Sequence, residues 1–132
     1  MSSVSSPVQP KGEALQEILN QFSTRTPEAL MAMAATREGL SIASVKQQII
    51  SDEEDALAVA GARILDMAAE VNNQLNQGQI GRILIEGIER TTIVMGAGRD
   101  IVFVVVVPAD AKLGLAMLSI QNTAKLIADL YN

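Results

Sequence analysis

The stretch Ile101-Val102-Phe103-Val104-Val105-Val106-Val107, closed by Pro108, decides the fold. Its residues are β-branched or aromatic throughout, so a strand built from it has no polar face to give to water. Such a strand belongs inside a sheet that carries helices on both faces. Pro108 has no backbone N–H to donate and stops the run.

Upstream of it, 80–88 and 91–97 read as two more strands, with 100–107 as the third of the series. The turns fall at Glu89-Arg90 and at Gly96-Ala97-Gly98-Arg99. Downstream, a last helix is expected over about 111–130, with Asp110 as N-cap and Leu113, Met117, Ile120, Ala124 and Ile127 on one side. Further upstream, Ser51-Asp52-Glu53-Glu54 has the form of a capping box, a hydroxyl followed three residues later by a carboxylate. The helix it opens can run to about Asn76, where Gly78 offers a stop. Segment 29–36 is Ala- and Met-rich and reads as a strand, although these residues also suit a helix. Arg37-Glu38-Gly39 is a turn, and 40–45 completes a hairpin. Leu15, Ile18, Leu19 and Phe22 recur at helical spacing in a short amphipathic helix. The order is α-β-β-α-β-β-β-α, an α+β fold with a five-stranded antiparallel sheet and helices on both faces.

Composition narrows the function. The chain has 132 residues, 48% apolar and 19% charged, which suits one folded domain. Residues 1–11 are small, polar and proline-containing and are expected to be a flexible tail, leaving 12–132 as the domain. The tail lacks the basic start and apolar core of a signal peptide, and no stretch is apolar enough to span a bilayer; a soluble, cytoplasmic protein is expected. The formal net charge of −5 argues against nucleic acid and against an anionic membrane surface as partners. There are no histidines and no cysteines, which removes Ser-His-Asp and Cys-His catalysis, His- or Cys-ligated metals, disulfides and redox thiols. Phe22, Phe103 and Tyr131 are the only aromatic residues, too few for a base-stacking platform. No enzyme activity, cofactor or metal is expected.

Features that resemble sites have plainer readings. Gly96-Ala97-Gly98 lies between two strands and lacks the lysine of a phosphate-binding loop, so it is a hairpin turn. Asp52, Glu53, Glu54 and Asp55 point in different directions on a helix and serve its positive end better than they would hold a cation. Glu86 and Glu89 are strand-end carboxylates with no sugar cleft in view. Met31, Met33, Met67, Met95 and Met117 are read as core filler, and Arg63, Arg82, Arg90 and Arg99 as solvated surface residues.

The middle helix is the anomaly. Ala56, Leu57, Val59, Ala60, Ile64, Leu65, Met67, Ala68, Val71 and Leu75 spread over a wide arc. One helix is roughly 10 Å wide, while five strands span roughly 20 Å, so this helix leaves part of its sheet face bare. A second copy of the same helix is the simplest cover, and Ala60, Gly61 and Ala68 are small enough for close approach.

These segments resemble the Roadblock/LC7 family over about residues 13–130. Ala-Ala-Thr-Arg-Glu-Gly-Leu-Ser-Ile-Ala-Ser (34–44) is similar to the family's D-G-L-P-I-A-S hairpin around Gly39 and Leu40, with Glu38 for the usual Asp and Ser41 for the usual Pro. Residues 52–62 resemble its acidic start and Ala-rich central helix. Lys112-Leu113-Gly114-Leu115-Ala116 resembles the opening of its last helix. The resemblance implies a profilin-like layout and a homodimer whose third strands pair edge to edge. The implied interface comprises Leu57, Ala60, Gly61, Ile64, Ala68 and Val71 on the helix, with Arg82, Leu84 and Glu86 on the strand. It also implies a non-catalytic platform that binds and regulates a small Ras-like GTPase by positional contact, without an arginine finger. A structural adaptor bridging other proteins is the alternative.

Overall fold

The computed structural model describes residues 10–47 and 54–132. Eight elements follow along these residues: α1 (Lys11–Arg25), β1 (Met31–Thr36), β2 (Ser41–Lys46), α2 (Glu54–Gln74), β3 (Ile83–Glu86), β4 (Arg90–Gly96), β5 (Ile101–Pro108) and α3 (Leu113–Tyr131). The order is the expected one. The strands form one antiparallel sheet in the order β2-β1-β5-β4-β3.

The apolar run sits at the centre of this sheet, and Ile101–Val107 are all buried. Its alternation divides the core in two. Phe103, Val105 and Val107 pack under α1 and α3, with Leu15, Leu19, Phe22, Ile120 and Ile127. Val102, Val104 and Val106 pack under α2, with Ala58 and Leu65. Phe103 also meets Phe22 edge to face, with ring centroids 5.7 Å apart. The Ala-rich segment is indeed a strand: β1 lies between β5 and β2, and its buried alanines and methionines serve both core layers.

Several boundaries differ from the sequence reading. The strand expected over 80–88 is only four residues long: it starts at Ile83, and it ends at Glu86 because the chain turns at Gly87, whose N–H donates to the Arg90 carbonyl at 2.8 Å. A Cβ at Gly87 would lie 2.9 Å from that same oxygen, so the turn requires glycine. The hairpin loop is therefore Gly87-Ile88-Glu89, ahead of the expected Glu89-Arg90, and Ile88 stands 97% exposed at its tip. Asp110 does not cap α3. The N-cap is Lys112, without a side-chain cap bond, and a turn from Pro108 to Ala111 takes up Asp110. The stop of α2 is Asn76, not Gly78: Asn76 adopts φ 54° and the Gln77 N–H donates to the Asn72 carbonyl at 2.8 Å, a Schellman closure. Helix α1 takes in Lys11, the last residue of the expected tail, and runs past Phe22 to Arg25. Ser51, Asp52 and Glu53 of the expected capping box, and residues 1–9 of the expected tail, lie outside the described residues.

Glu54, the described member of that box, has another role. Its carboxylate accepts Ser41 Oγ at 2.8 Å and Ser44 Oγ at 2.7 Å, and Lys46 Nζ lies 3.2 Å away. The first turn of α2 is thus tied to β2.

Candidate interaction surface

Helix α2 turns one arc inward and a second, adjacent arc outward. Ala58, Gly61, Ala62 and Leu65 recur at i, i+3, i+4 and i+7 and are buried on the sheet. Leu57, Ala60, Ile64, Ala68 and Val71 follow the same periodicity one step around the cylinder. Leu57, Ala60, Ile64 and Ala68 are half-buried, and Val71 is exposed. Met67 at 67% and Leu75 at 64% exposure extend this outer stripe. The sequence reading places Gly61 with the outer group for close approach to a second helix. Within the subunit it faces its own sheet instead: a Cβ there would lie 3.0 Å from Val104 Cγ2.

The opposite flank of α2 leans on the first hairpin. Val59 Cα lies 3.1 Å from where a Gly39 Cβ would stand, and Arg37 Nη2 is 3.4 Å from Asp66 Oδ1. Gly39 has φ +96°, so this hairpin glycine is required both for its turn and for the seat of α2. Leu40, beside it, is 68% exposed, and Gly114 is exposed at the start of α3 with open space around its Cα.

With that flank fixed, the outer stripe faces the β4–β3 side of the sheet. Helix α2 packs on β1, β5 and β4. It leaves β3 thinly covered. Ile83, opposite Val94, is partly buried against the core, while Ile85 is 43% exposed on the same face. Leu84, on the other face, is 41% exposed, and Arg82, just before the strand, and Glu86, its last residue, are also exposed. Strand β3 is also a sheet edge with no partner on its outer side among the described residues. Apolar stripe and open edge therefore adjoin.

Titratable groups do not converge on this surface. Among the described residues no three Asp, Glu, His or Cys side chains come together to hold a metal. Glu86 and Glu89 are separately exposed at the β3–β4 hairpin. The Ser44 and Ser41 hydroxyls and Lys46 hold the Glu54 carboxyl below the usual carboxylate range, against a smaller opposing effect of burial. A groove of about 1080 Å³ opens at the C-terminal end of α2, with Arg37, Arg99, Asn72, Asn73 and Asn76 on its walls. No helix among the described residues is long and apolar enough to cross a membrane. One apolar feature escapes the sequence reading: Leu115, Leu118 and Leu126 lie on the outer side of α3, opposite its buried positions, at 70%, 61% and 46% exposure. A helical projection of 113–131 contains that signal.

A family model for the Roadblock/LC7 domain matches residues 15–107. The chain belongs to the Roadblock/LC7 family. The match includes the Gly39-Leu40 hairpin, α2 and the three-strand meander, and ends before Gly114. Solved Roadblock/LC7-type structures superpose closely. One, described as MglB with tetrameric arrangement, has a TM-score of 0.84 at 20% identity, covering 98% of this chain and 96% of that one. The gliding protein MglB from Thermus thermophilus has a TM-score of 0.83 at 19% identity, covering 98% and 97%. Profilin II of Acanthamoeba castellanii, at 0.62 and 13% identity over 89% and 99%, shares the layout. At these identities the likeness is one of fold. No curated protein matches the chain in sequence.

Proposed function

We propose that this Roadblock/LC7 protein is a homodimeric, non-catalytic platform that binds a small Ras-like GTPase and regulates its nucleotide cycle. One observation carries the dimer: the outer stripe of α2, from Leu57 to Leu75, adjoins the β3 edge, which is unpaired among the described residues, on a part of the sheet that the described residues leave uncovered. A soluble monomer seldom leaves so much apolar surface in one place. A second copy supplies both a matching stripe and a matching edge, as a two-fold interface requires. The proposed contact comprises Leu57, Ala60, Ile64, Ala68 and Val71 with Arg82, Leu84 and Glu86.

The GTPase is carried over from what the family resemblance implies, and a platform of this kind acts by the shape of its surface. A rigid dimer that fits one switch conformation better than another shifts that population by its difference in affinity. The test is a pull-down with the purified protein from native lysate, charged in parallel with GDP and with a non-hydrolysable GTP analogue. Recovery of a Ras-like GTPase with a clear preference for one nucleotide supports the reading. Equal recovery in both reduces the protein to an adaptor, and no GTPase in either contradicts the regulatory role.

A further inference from the structure

We infer that the groove at the C-terminal end of α2 is a binding site for a small polyhydroxylated oxyanion, of the sugar-phosphate or sugar-acid kind. The site shares no residue with the dimer contact proposed above and stands apart from that reading. The arc of α2 that packs on the sheet, Ala58, Gly61, Ala62 and Leu65, continues at the same spacing through Ala69, Asn72 and Asn73. Gly61 lies over Val104 and Val102, and further along the helix its last turns and the β4–β5 hairpin wall one groove. Packed on the sheet, those later positions would be apolar. Two of them are asparagines instead, poorer helix formers than the alanine and leucine before them, and they face about 1080 Å³ of open space.

The walls select the ligand by charge and by hydrogen bonding. Arg37 and Arg99 line the groove and no carboxylate among the described residues does, in a chain with 15 acidic residues against 10 basic ones. Asp66 Oδ1, 3.4 Å from Arg37 Nη2, and the Arg99 carbonyl, 3.5 Å from Nη1, orient the Arg37 guanidinium and leave it further N–H donors. Arg99 is exposed and forms no ion pair among the described residues. Two guanidinium groups with no acid lining the same groove suit the oxygens of a phosphate or a carboxylate. Asn72, Asn73, Asn76 and Gln79 each offer a carboxamide that both donates and accepts, which matches hydroxyl groups. Leu65, Ala69 and Ile80 add aliphatic surface for the C–H face of such a ligand. No aromatic residue lines the groove among the described residues, so a nucleobase finds nothing to stack on.

The test is isothermal titration calorimetry of the full chain with glucose 6-phosphate, gluconate, inorganic phosphate and glucose. Glucose 6-phosphate or gluconate is expected to bind saturably and about tenfold or more tighter than inorganic phosphate or glucose, because only these two engage guanidinium and carboxamide groups together. Which of the two binds tighter tells whether the oxyanion is a phosphate or a carboxylate. Arg99→Gln is expected to weaken that probe about tenfold, and Asn72→Leu several-fold, with the far-UV circular dichroism of both variants unchanged. No saturable binding of either probe, or an affinity unchanged in Arg99→Gln, overturns the site. Inorganic phosphate bound as tightly as glucose 6-phosphate and gluconate overturns the polyhydroxylated class.

Discussion

A methyl group on Gly61 would stand 3.0 Å from Val104 Cγ2, so α2 rests on β5 at a distance that only glycine gives without displacement. Substitution there tests the subunit and not its association. Gly61→Leu drives a branched side chain into packed Val102 and Val104 and is expected to cost about 1–3 kcal/mol or more of folding stability. Urea denaturation monitored by far-UV circular dichroism checks this, with a lowered midpoint expected.

The outer stripe gives the complementary result. Val71→Asp puts a charge on a position that is 45% exposed in the subunit and is proposed to be covered in the dimer. The subunit should keep its helical spectrum, while the dimer dissociates at micromolar concentration, because burying an unpaired carboxylate is strongly unfavourable. Light scattering together with circular dichroism separates the two effects.

The same change on the other side of the molecule serves as contrast. Leu118 lies on the outer stripe of α3, on the opposite face of the sheet from α2. Leu118→Asp is expected to leave both fold and dimer unchanged by the same measurements. Its dissociation into monomers would place the interface on α3.

Glu54 gives a pH dependence of known sign. Its folded-state pKa is lowered, chiefly by the Ser44 hydroxyl and further by Ser41 and Lys46. A depressed carboxylate stabilises the fold fully above its ordinary, unfolded value, and that contribution disappears as pH falls through the lower folded value. Thermal midpoints followed from neutral pH down through the acid range should fall less steeply for Glu54→Gln than for wild type. The variant should be the less stable of the two at neutral pH, with the difference narrowing in acid.

Periodicity makes most of the architecture legible. The run ending at Val107 requires cover on both faces, and the alternation of its side chains between two clusters is that cover. Relations between distant segments are not legible. A glycine within a wide apolar arc signals a close approach but not which neighbour approaches; only the position of α2 over Val104 gives the direction of Gly61. Glu54 has the spacing of a capping residue, and its bonds to Ser41 and Ser44 depend on where β2 lies. Sequence overstates the length of β3 because isoleucines stand at both ends of 80–88, whereas the strand starts only at Ile83 and the Gly87–Arg90 bond closes the hairpin after Glu86. The α3 leucines are as visible in the sequence as the buried residues of that helix, but only the position of the sheet tells the two sides apart.

Sedimentation equilibrium of the wild-type protein at micromolar concentration tests the central claim most directly. The account predicts a single species of twice the 14.0 kDa chain mass. A stable 14.0 kDa monomer under those conditions would contradict it.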